Sequence, residues 1–199
     1  MGYIGSARIF FYSGTGSHDH KIVQPYVKAI TAWLSKHPQK LSAVDLGCGD
    51  FSVGSQIRSY CSSFTACDIV PELITSHQNN YRSLDVDFRC LDLAQDELPQ
   101  ADVVFVRQVL QHLDNHSISQ FCSKLTQKFS YLILTEHIPR NAQFVSNRDK
   151  PSGPDTRIGY NSGVVLTDQP FKISVQHSEV LCEVSENGGV IQTIAYQLK

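Results

Sequence analysis

A branched apolar run that ends in paired glycines is the feature that most constrains the fold of this chain. The run spans residues 44 to 50 and reads VDLGCGD. Glycines at the end of a buried strand let the backbone turn sharply and aim the free N–H groups of the next helix at a ligand. A Gly-x-Gly pair also marks ordinary turns, so this interpretation needs support from elsewhere in the chain.

Acidic residues around the turn give that support. Asp68 closes a second apolar run about twenty residues downstream, where such folds place a carboxylate that accepts hydrogen bonds from ribose hydroxyls. Asp45 and Asp50 lie beside the turn, and they would repel the diphosphate of a dinucleotide but suit a cationic ligand. Ser52 also stands where a dinucleotide fingerprint has its third glycine. The pattern favours an adenosine-containing cationic ligand, and a nicotinamide-dependent oxidoreductase is the weaker alternative.

Strand and helix patterns alternate along the chain. Helical spacing predicts a helix from Ile22 to Leu34 that ends before Pro38. Apolar runs predict strands at 42–46, 64–67, 86–90, 103–106 and 131–135, with helices between them. Residues 171–184 and 190–198 flank an Asn-Gly-Gly turn and predict a hairpin. We therefore expect one α/β domain with a doubly wound, mostly parallel sheet of about seven strands and a C-terminal antiparallel β-hairpin.

Four stretches carry a more specific pattern. They are VDLGCGDFSVG at 44–54, CDIVPELI at 67–74, FRCLDLAQDELP at 88–99 and ADVVFVRQVLQHL at 101–113. In this order and spacing they resemble the class I, Rossmann-like S-adenosylmethionine-dependent methyltransferases. The resemblance covers roughly residues 42 to 136 and extends to the terminal hairpin, which is common in that family.

The resemblance implies S-adenosylmethionine as the cofactor. By the family's pattern, Asp45, Gly47 and Gly49 would hold the methionine portion and Asp68 the ribose. Ile69 would cover one adenine face, and Asp92 with Leu93 would meet the adenine amino edge. The full implied set is Asp45, Gly47, Cys48, Gly49, Asp68, Ile69, Asp92, Leu93, Arg107 and Gln108.

The candidate catalytic residues are polar groups at the expected carboxyl edge of the sheet: His112, Glu136, His137 and Tyr160. Methyl transfer from a sulfonium is an in-line displacement, so a base is needed only when the acceptor must lose a proton. His137 is the preferred base, because it follows the fifth strand and should border the ligand crevice. A solvated or hydrogen-bonded loop position is the alternative for each residue.

The segment from 138 to 170 is rich in proline and glycine and has no helical period. A loop of that length in a compact domain suggests a lid. We expect four parts: an N-terminal cap and helix (1–40), a cofactor-binding core (42–136), this lid-like loop, and the hairpin (171–198). The lid carries Arg140, Arg148, Lys150 and Arg157 against Asp149 and Asp155. That local excess of positive charge would favour an anionic acceptor, although charged residues at a solvated surface explain the same pattern.

The N-terminal segment and the composition limit the partners. His18, Asp19 and His20 are too close in sequence to complete a metal site alone, so no metal is predicted, and the segment is interpreted as a polar entry to the Val23 helix. In the family that the chain resembles, the segment before the first strand often folds over the ligand, which would allow Tyr12, His18 and Asp19 to border the cavity. A net charge of −2 shows no excess of positive charge that would indicate nucleic-acid binding, and no apolar stretch is long enough to span a bilayer. The six cysteines form no CxxC pair, which favours reduced thiols and a cytoplasmic location.

The predicted activity is transfer of a methyl group to an O, N or C atom of a small-molecule acceptor. The stretch VRQVLQH lacks the prolines and aromatic residue typical of methyltransferases that act on nucleic-acid bases or glutamine. The alternative is a noncatalytic methyltransferase-like binding or scaffold subunit. The intact carboxylates Asp45, Asp68 and Asp92 favour the enzyme, and the oligomeric state is left open.

Overall fold

The structure is a computed structural model that describes residues 18–199, so the predictions for Tyr12 and its neighbours lie outside the described residues. The helices are α1 (His20–Ser35), α2 (Gly54–Ile57), α3 (Pro71–Asn80) and α4 (Asn115–Lys128). The strands are β1 (Ala43–Leu46), β2 (Phe64–Asp68), β3 (Asp87–Cys90), β4 (Val103–Arg107), β5 (Tyr131–Pro139), β6 (His177–Glu186) and β7 (Gly189–Gln197). None of these helices is long and apolar enough to cross a membrane.

Within residues 18–199, seven strands form one sheet in the order β3-β2-β1-β4-β5-β7-β6. Strands β1 to β5 are parallel, and β7 lies antiparallel between β5 and β6. The predicted fold class is confirmed. The strand order reverses between β1 and β4, and in sheets of this type a crevice opens there at the carboxyl ends of the strands.

Successive side chains of the central strands point to opposite faces of the sheet, so the apolar core has one part on each face. Val44 and Leu46 of β1 pack with apolar residues of α4, such as Phe121. Ala43 and Phe105 point to the other face and pack with α1 and α3. Successive side chains of a strand face opposite ways, so a buried parallel strand must be apolar on both sides.

Two boundaries differ from the sequence prediction. β5 continues to Pro139 rather than ending near 135, because β7 pairs with it along its whole length as far as Gly189. β6 begins at His177, so residues 171–176 precede the hairpin instead of forming part of it. Both differences come from pairing between segments far apart in sequence.

The predicted lid is packed against the domain. Val164 and Leu166 are buried in the same core as α4. The Asn147 side chain donates to the carbonyls of Val165 and Gln169 and accepts a hydrogen bond from the Val165 N–H. Buried apolar side chains and satisfied backbone groups are features of a static element.

Candidate active site

The glycine turn after β1 closes against β2. The N–H groups of Gly47 and Cys48 both donate to the Cys67 carbonyl, at 2.8 and 2.9 Å. Gly47 has φ +79°, and a Cβ at this position would overlap the Val109 side chain. Only glycine fits where the backbone is both left-handed and this close to a neighbouring side chain.

Asp68 is fixed at the carboxyl end of β2 by two backbone groups. Its Oδ2 accepts from the Gly49 N–H at 3.0 Å, and its Oδ1 accepts from the Val70 N–H at 3.1 Å. Each carboxylate oxygen can accept more than one hydrogen bond. Asp68 therefore joins the glycine turn to β2 and keeps accepting capacity for a ligand.

A cavity of about 850 Å³ opens at the point where the strand order reverses. All the residues that the sequence analysis assigned to the cofactor line it: Asp45, Gly47, Cys48, Gly49, Asp68, Ile69, Asp92, Leu93, Arg107 and Gln108. Its size falls within the range of small-molecule and cofactor sites. Ile69 has 62% of its surface exposed, so an apolar face is available at the mouth.

Asp45 lies at the base of the cavity in a largely buried position. Burial raises the pKa of Asp45 to about 7, against the opposing effect of the Arg107 guanidinium. Arg107 in turn lies 5.1 Å from the centre of the Tyr26 ring of α1. Tyr26 and Ile22 of α1 also line the cavity, a role that their helical periodicity did not reveal.

Two further cofactor candidates occupy tight turns. Asp92 follows β3, and its Oδ1 accepts from the Ala94 N–H at 2.8 Å. Gln108 follows β4 with φ +55°, and its N–H donates to the Thr135 carbonyl at 2.7 Å. These contacts fix both residues at the cavity edge.

His112 and His137 line the cavity among the four catalytic candidates. The Nε2 of His137 lies 3.0 Å from the Glu186 carbonyl oxygen. A carbonyl can only accept, so Nε2 carries the proton, and in the neutral ring Nδ1 keeps its lone pair. Burial lowers the pKa of His112, which favours the neutral form of this ring.

Glu136 and Tyr160 are not among the residues that line the cavity. Glu136 is 2% exposed; its Oε1 accepts from the Leu110 N–H at 3.0 Å, and burial raises its pKa to about 8. As neighbours on one strand, Glu136 and His137 face opposite ways, which explains why only His137 reaches the cavity. Tyr160 is 46% exposed on the segment between β5 and β6, residues 140–176, which contains most of the predicted lid.

The positive charges of the predicted lid do not reach the cavity. Lys150 and Arg157 are buried, and both donate to backbone carbonyls. Arg140 and Arg148 are exposed. The charged groups that line the cavity, apart from histidine, are instead Asp45, Asp50, Asp68, Asp92, Glu186 and Arg107. This lining suits a neutral or cationic ligand better than an anionic one.

One N-terminal polar residue, His18, contacts the glycine turn, whereas the Asp19 side chain accepts from the Lys21 N–H and caps α1. His18 Nε2 lies 2.7 Å from Asp50 Oδ2, which places this histidine beside the cavity entrance. Among residues 18–199, no three or more His, Cys, Asp or Glu side chains are grouped so that they could hold a metal ion. Glu186, Asn187 and Ile191 of the hairpin also line the cavity. They went unnoticed in the sequence, because their approach depends on the fold of β6 and β7.

The chain is similar to one protein family and to several solved structures. Residues 44–127 match the profile of a family described as a methyltransferase domain. No curated protein sequence matches the chain significantly.

Several solved structures share the fold. The N-methyltransferase NodS from Bradyrhizobium japonicum WM9, in complex with S-adenosylhomocysteine, is 13% identical, with a TM-score of 0.65 over 92% of this chain and 91% of NodS. Magnesium protoporphyrin IX methyltransferase (ChlM) from Synechocystis PCC 6803, with bound S-adenosylmethionine, is 20% identical, with a TM-score of 0.58 over 89% of this chain and 80% of ChlM. The methyltransferase domain of the bacterial CtHen1-C is 16% identical, with a TM-score of 0.59 over 88% of this chain and 97% of that domain.

Proposed function

We propose that the chain transfers the methyl group of S-adenosylmethionine to a small-molecule acceptor. The match of residues 44–127 to a methyltransferase-domain family, and the fold shared with methyltransferases solved with S-adenosylhomocysteine or S-adenosylmethionine, support this proposal. The observation that carries the proposal is the cavity at the strand-order reversal, which gathers every residue implied in cofactor binding. A noncatalytic subunit that does not bind the cofactor would have no need for this set of carboxylates.

The residues present fit the cofactor chemically. S-adenosylmethionine supplies a methyl group made electrophilic by its sulfonium, and it also carries an ammonium, an adenine and a ribose. Asp45 and Asp50 provide negative charge beside the glycine turn for the cationic groups, while Asp68 has accepting capacity for ribose hydroxyls. Ile69 would cover one adenine face, and Asp92 with Leu93 would meet the adenine amino edge. The same acidic lining would repel the negatively charged diphosphate of a dinucleotide.

The acceptor that the cavity best suits is small and uncharged or cationic. The part of the cavity lining that is not assigned to the cofactor combines the apolar Ile158 and Ile191 with the polar His112, His137 and Asn187. One structural neighbour, ChlM, is named for a small-molecule acceptor, magnesium protoporphyrin IX.

The free thiols of the six cysteines support a reducing, cytoplasmic location.

His137 is the group best placed to remove a proton from the acceptor. The Glu186 carbonyl holds the proton on Nε2 and so leaves Nδ1 as the basic atom. We expect His137→Gln to slow turnover about tenfold, because positioning supplies most of the acceleration of an in-line displacement. Its affinity for S-adenosylhomocysteine should stay close to that of the wild type. A loss of that affinity with unchanged turnover would instead make His137 a cofactor residue.

Cofactor affinity should depend on pH through Asp45. With the pKa of Asp45 raised to about 7, the free protein binds a proton there as the pH falls below that value. A cationic ligand group prefers the ionised carboxylate, so we expect affinity to fall about eightfold from about pH 7.5 to about pH 6. Calorimetric titration of S-adenosylmethionine across this range measures the effect. Asp45→Asn should bind more weakly at the upper pH and lose the dependence; a dependence that survives in this variant belongs to another group.

The test of the proposed function is parallel calorimetric titration with S-adenosylmethionine, S-adenosylhomocysteine and NAD. We expect binding of the first two and none of NAD, followed by methyl transfer from labelled cofactor in a screen of amines and hydroxyl compounds. Binding of NAD alone would support the oxidoreductase alternative. Cofactor binding without transfer to any acceptor would support the noncatalytic subunit.

A further inference from the structure

Two side chains at the end of α3 bind consecutive carbonyls of the glycine turn. His77 Nε2 lies 2.6 Å from the Gly49 oxygen, and the Tyr81 hydroxyl donates to the Asp50 oxygen at 3.2 Å. Because the carbonyl only accepts, His77 carries its proton on Nε2. Burial and the Asp50 carboxylate raise the pKa of Tyr81, which keeps its hydroxyl a donor.

The turn that these side chains hold has an unfavourable backbone. Gly49 has φ +54°, and Phe51, two residues later, has φ +61° although it carries a bulky side chain. Left-handed backbone at such a residue persists only where its surroundings enforce it. The buried Phe51 ring packs edge-on against Tyr81 and Phe88, with centroid distances of 5.1 and 4.9 Å.

Gly49 is therefore held from both sides. Its N–H is bound by Asp68 at the end of β2, and its carbonyl by His77 of α3. Asp68 and α3 thus hold the two peptide groups on either side of the Gly49 Cα, so a change in one affects the position of the other. A binding loop that is ordered before the ligand arrives costs less entropy on binding.

We propose that His77 and Tyr81 are positioning residues that preorganise the cofactor-binding turn through its Gly49 and Asp50 carbonyls. This inference rests on the proposed function, since the turn matters only if it holds the cofactor. His77 and Tyr81 need not touch the cofactor themselves. Their side chains act through the turn, and the family resemblance in the sequence did not mark either of them.

The experiment separates hydrogen bonding from simple packing. His77→Met removes the donor at similar size, whereas His77→Gln offers an amide N–H in its place. Calorimetry with S-adenosylhomocysteine should show about tenfold weaker binding for His77→Met, recovery of most of the affinity in His77→Gln, and about threefold weaker binding for Tyr81→Phe. Tyr81→Phe keeps the ring contacts with Phe51, so it tests the hydroxyl even if the His77 variants fold poorly.

Gln78→Met is the matched control. Gln78 donates from the same helix to the Phe88 carbonyl, on β3 rather than on the turn, at 3.2 Å. We expect this variant to bind S-adenosylhomocysteine as the wild type does. An equal loss in Gln78→Met, or wild-type affinity in both His77→Met and Tyr81→Phe, would overturn the proposal.

Amide hydrogen exchange without ligand gives a second readout. We expect the amides of residues 48–51 to exchange faster in His77→Met than in the wild type, with His77→Gln in between. If the wild type fails to bind S-adenosylhomocysteine, the proposed function fails, and this exchange comparison still decides whether α3 orders the turn. Unchanged exchange in His77→Met would overturn the positioning role.

Discussion

Replacing Asp68 with alanine is expected to weaken S-adenosylmethionine binding about 100-fold, or about 3 kcal/mol. The carboxylate has two roles that alanine cannot fill. Under the proposed assignment it offers charged acceptor oxygens to the ribose, and in the structure it anchors the Gly49 and Val70 N–H groups at the end of β2. Loss of the anchor leaves the glycine turn less ordered, which adds to the loss of the ligand's own hydrogen bonds. Calorimetric titration measures the change.

Two variants control this measurement. Asp68→Asn keeps one acceptor oxygen without the charge, so its affinity should lie between those of the wild type and Asp68→Ala. Asp87→Ala removes an exposed carboxylate of β3 that pairs with Arg89 and does not line the cavity, and its affinity should stay unchanged. Wild-type affinity in a folded Asp68→Ala protein would rule out the ribose assignment.

Arg157→Met is expected to cost about 4 kcal/mol of unfolding free energy. Arg157 is 1% exposed, and its guanidinium donates to the carbonyls of Leu113, at 2.6 Å, and of Arg148. Methionine fills part of the space but leaves two carbonyls without their donor, and each such loss costs about 1–3 kcal/mol. Urea unfolding of the variant and the wild type gives the difference.

Limited proteolysis of the same variant tests whether residues 140–176 are a static element. The packing of Asn147, Leu166 and Arg157 predicts that the wild-type segment resists cleavage without any ligand. Arg157→Met should be cut there, and Arg140→Ala, which changes an exposed arginine of the same segment, should not. Rapid wild-type cleavage that only an acceptor prevents would restore the interpretation of this segment as a lid.

The parts of the site that the sequence predicts are those encoded locally. The glycine turn, the strand ends at Asp45 and Asp68, and the segment at Asp92 each depend on a few neighbouring residues. In a parallel sheet the carboxyl ends of the strands lie at one edge, so residues that follow those strands come together there. A pattern of residues along the sequence is therefore enough to predict that they line one cavity.

Other residues could not be placed in this way. Glu136 and His137 are adjacent polar residues that the sequence does not distinguish. The orientation of β5 in the sheet places Glu136 in a buried position beside Leu110 and His137 in the lining of the cavity. Lys150 and Arg157 look like surface charges in the sequence. In the structure they satisfy backbone carbonyls of the segment and of the turn before α4.

The sequence by itself determined the fold class and predicted the glycine turn and the carboxylates beside it, because each follows from short-range patterns of apolar residues, glycines and acids. Tertiary structure alone decided the support of that turn by His77 and Tyr81, the packing of the 140–176 segment, and the approach of the hairpin to the cavity. Burial, strand facing and long-range hydrogen bonds are properties of the assembled chain, and they gave these residues roles that no local pattern records.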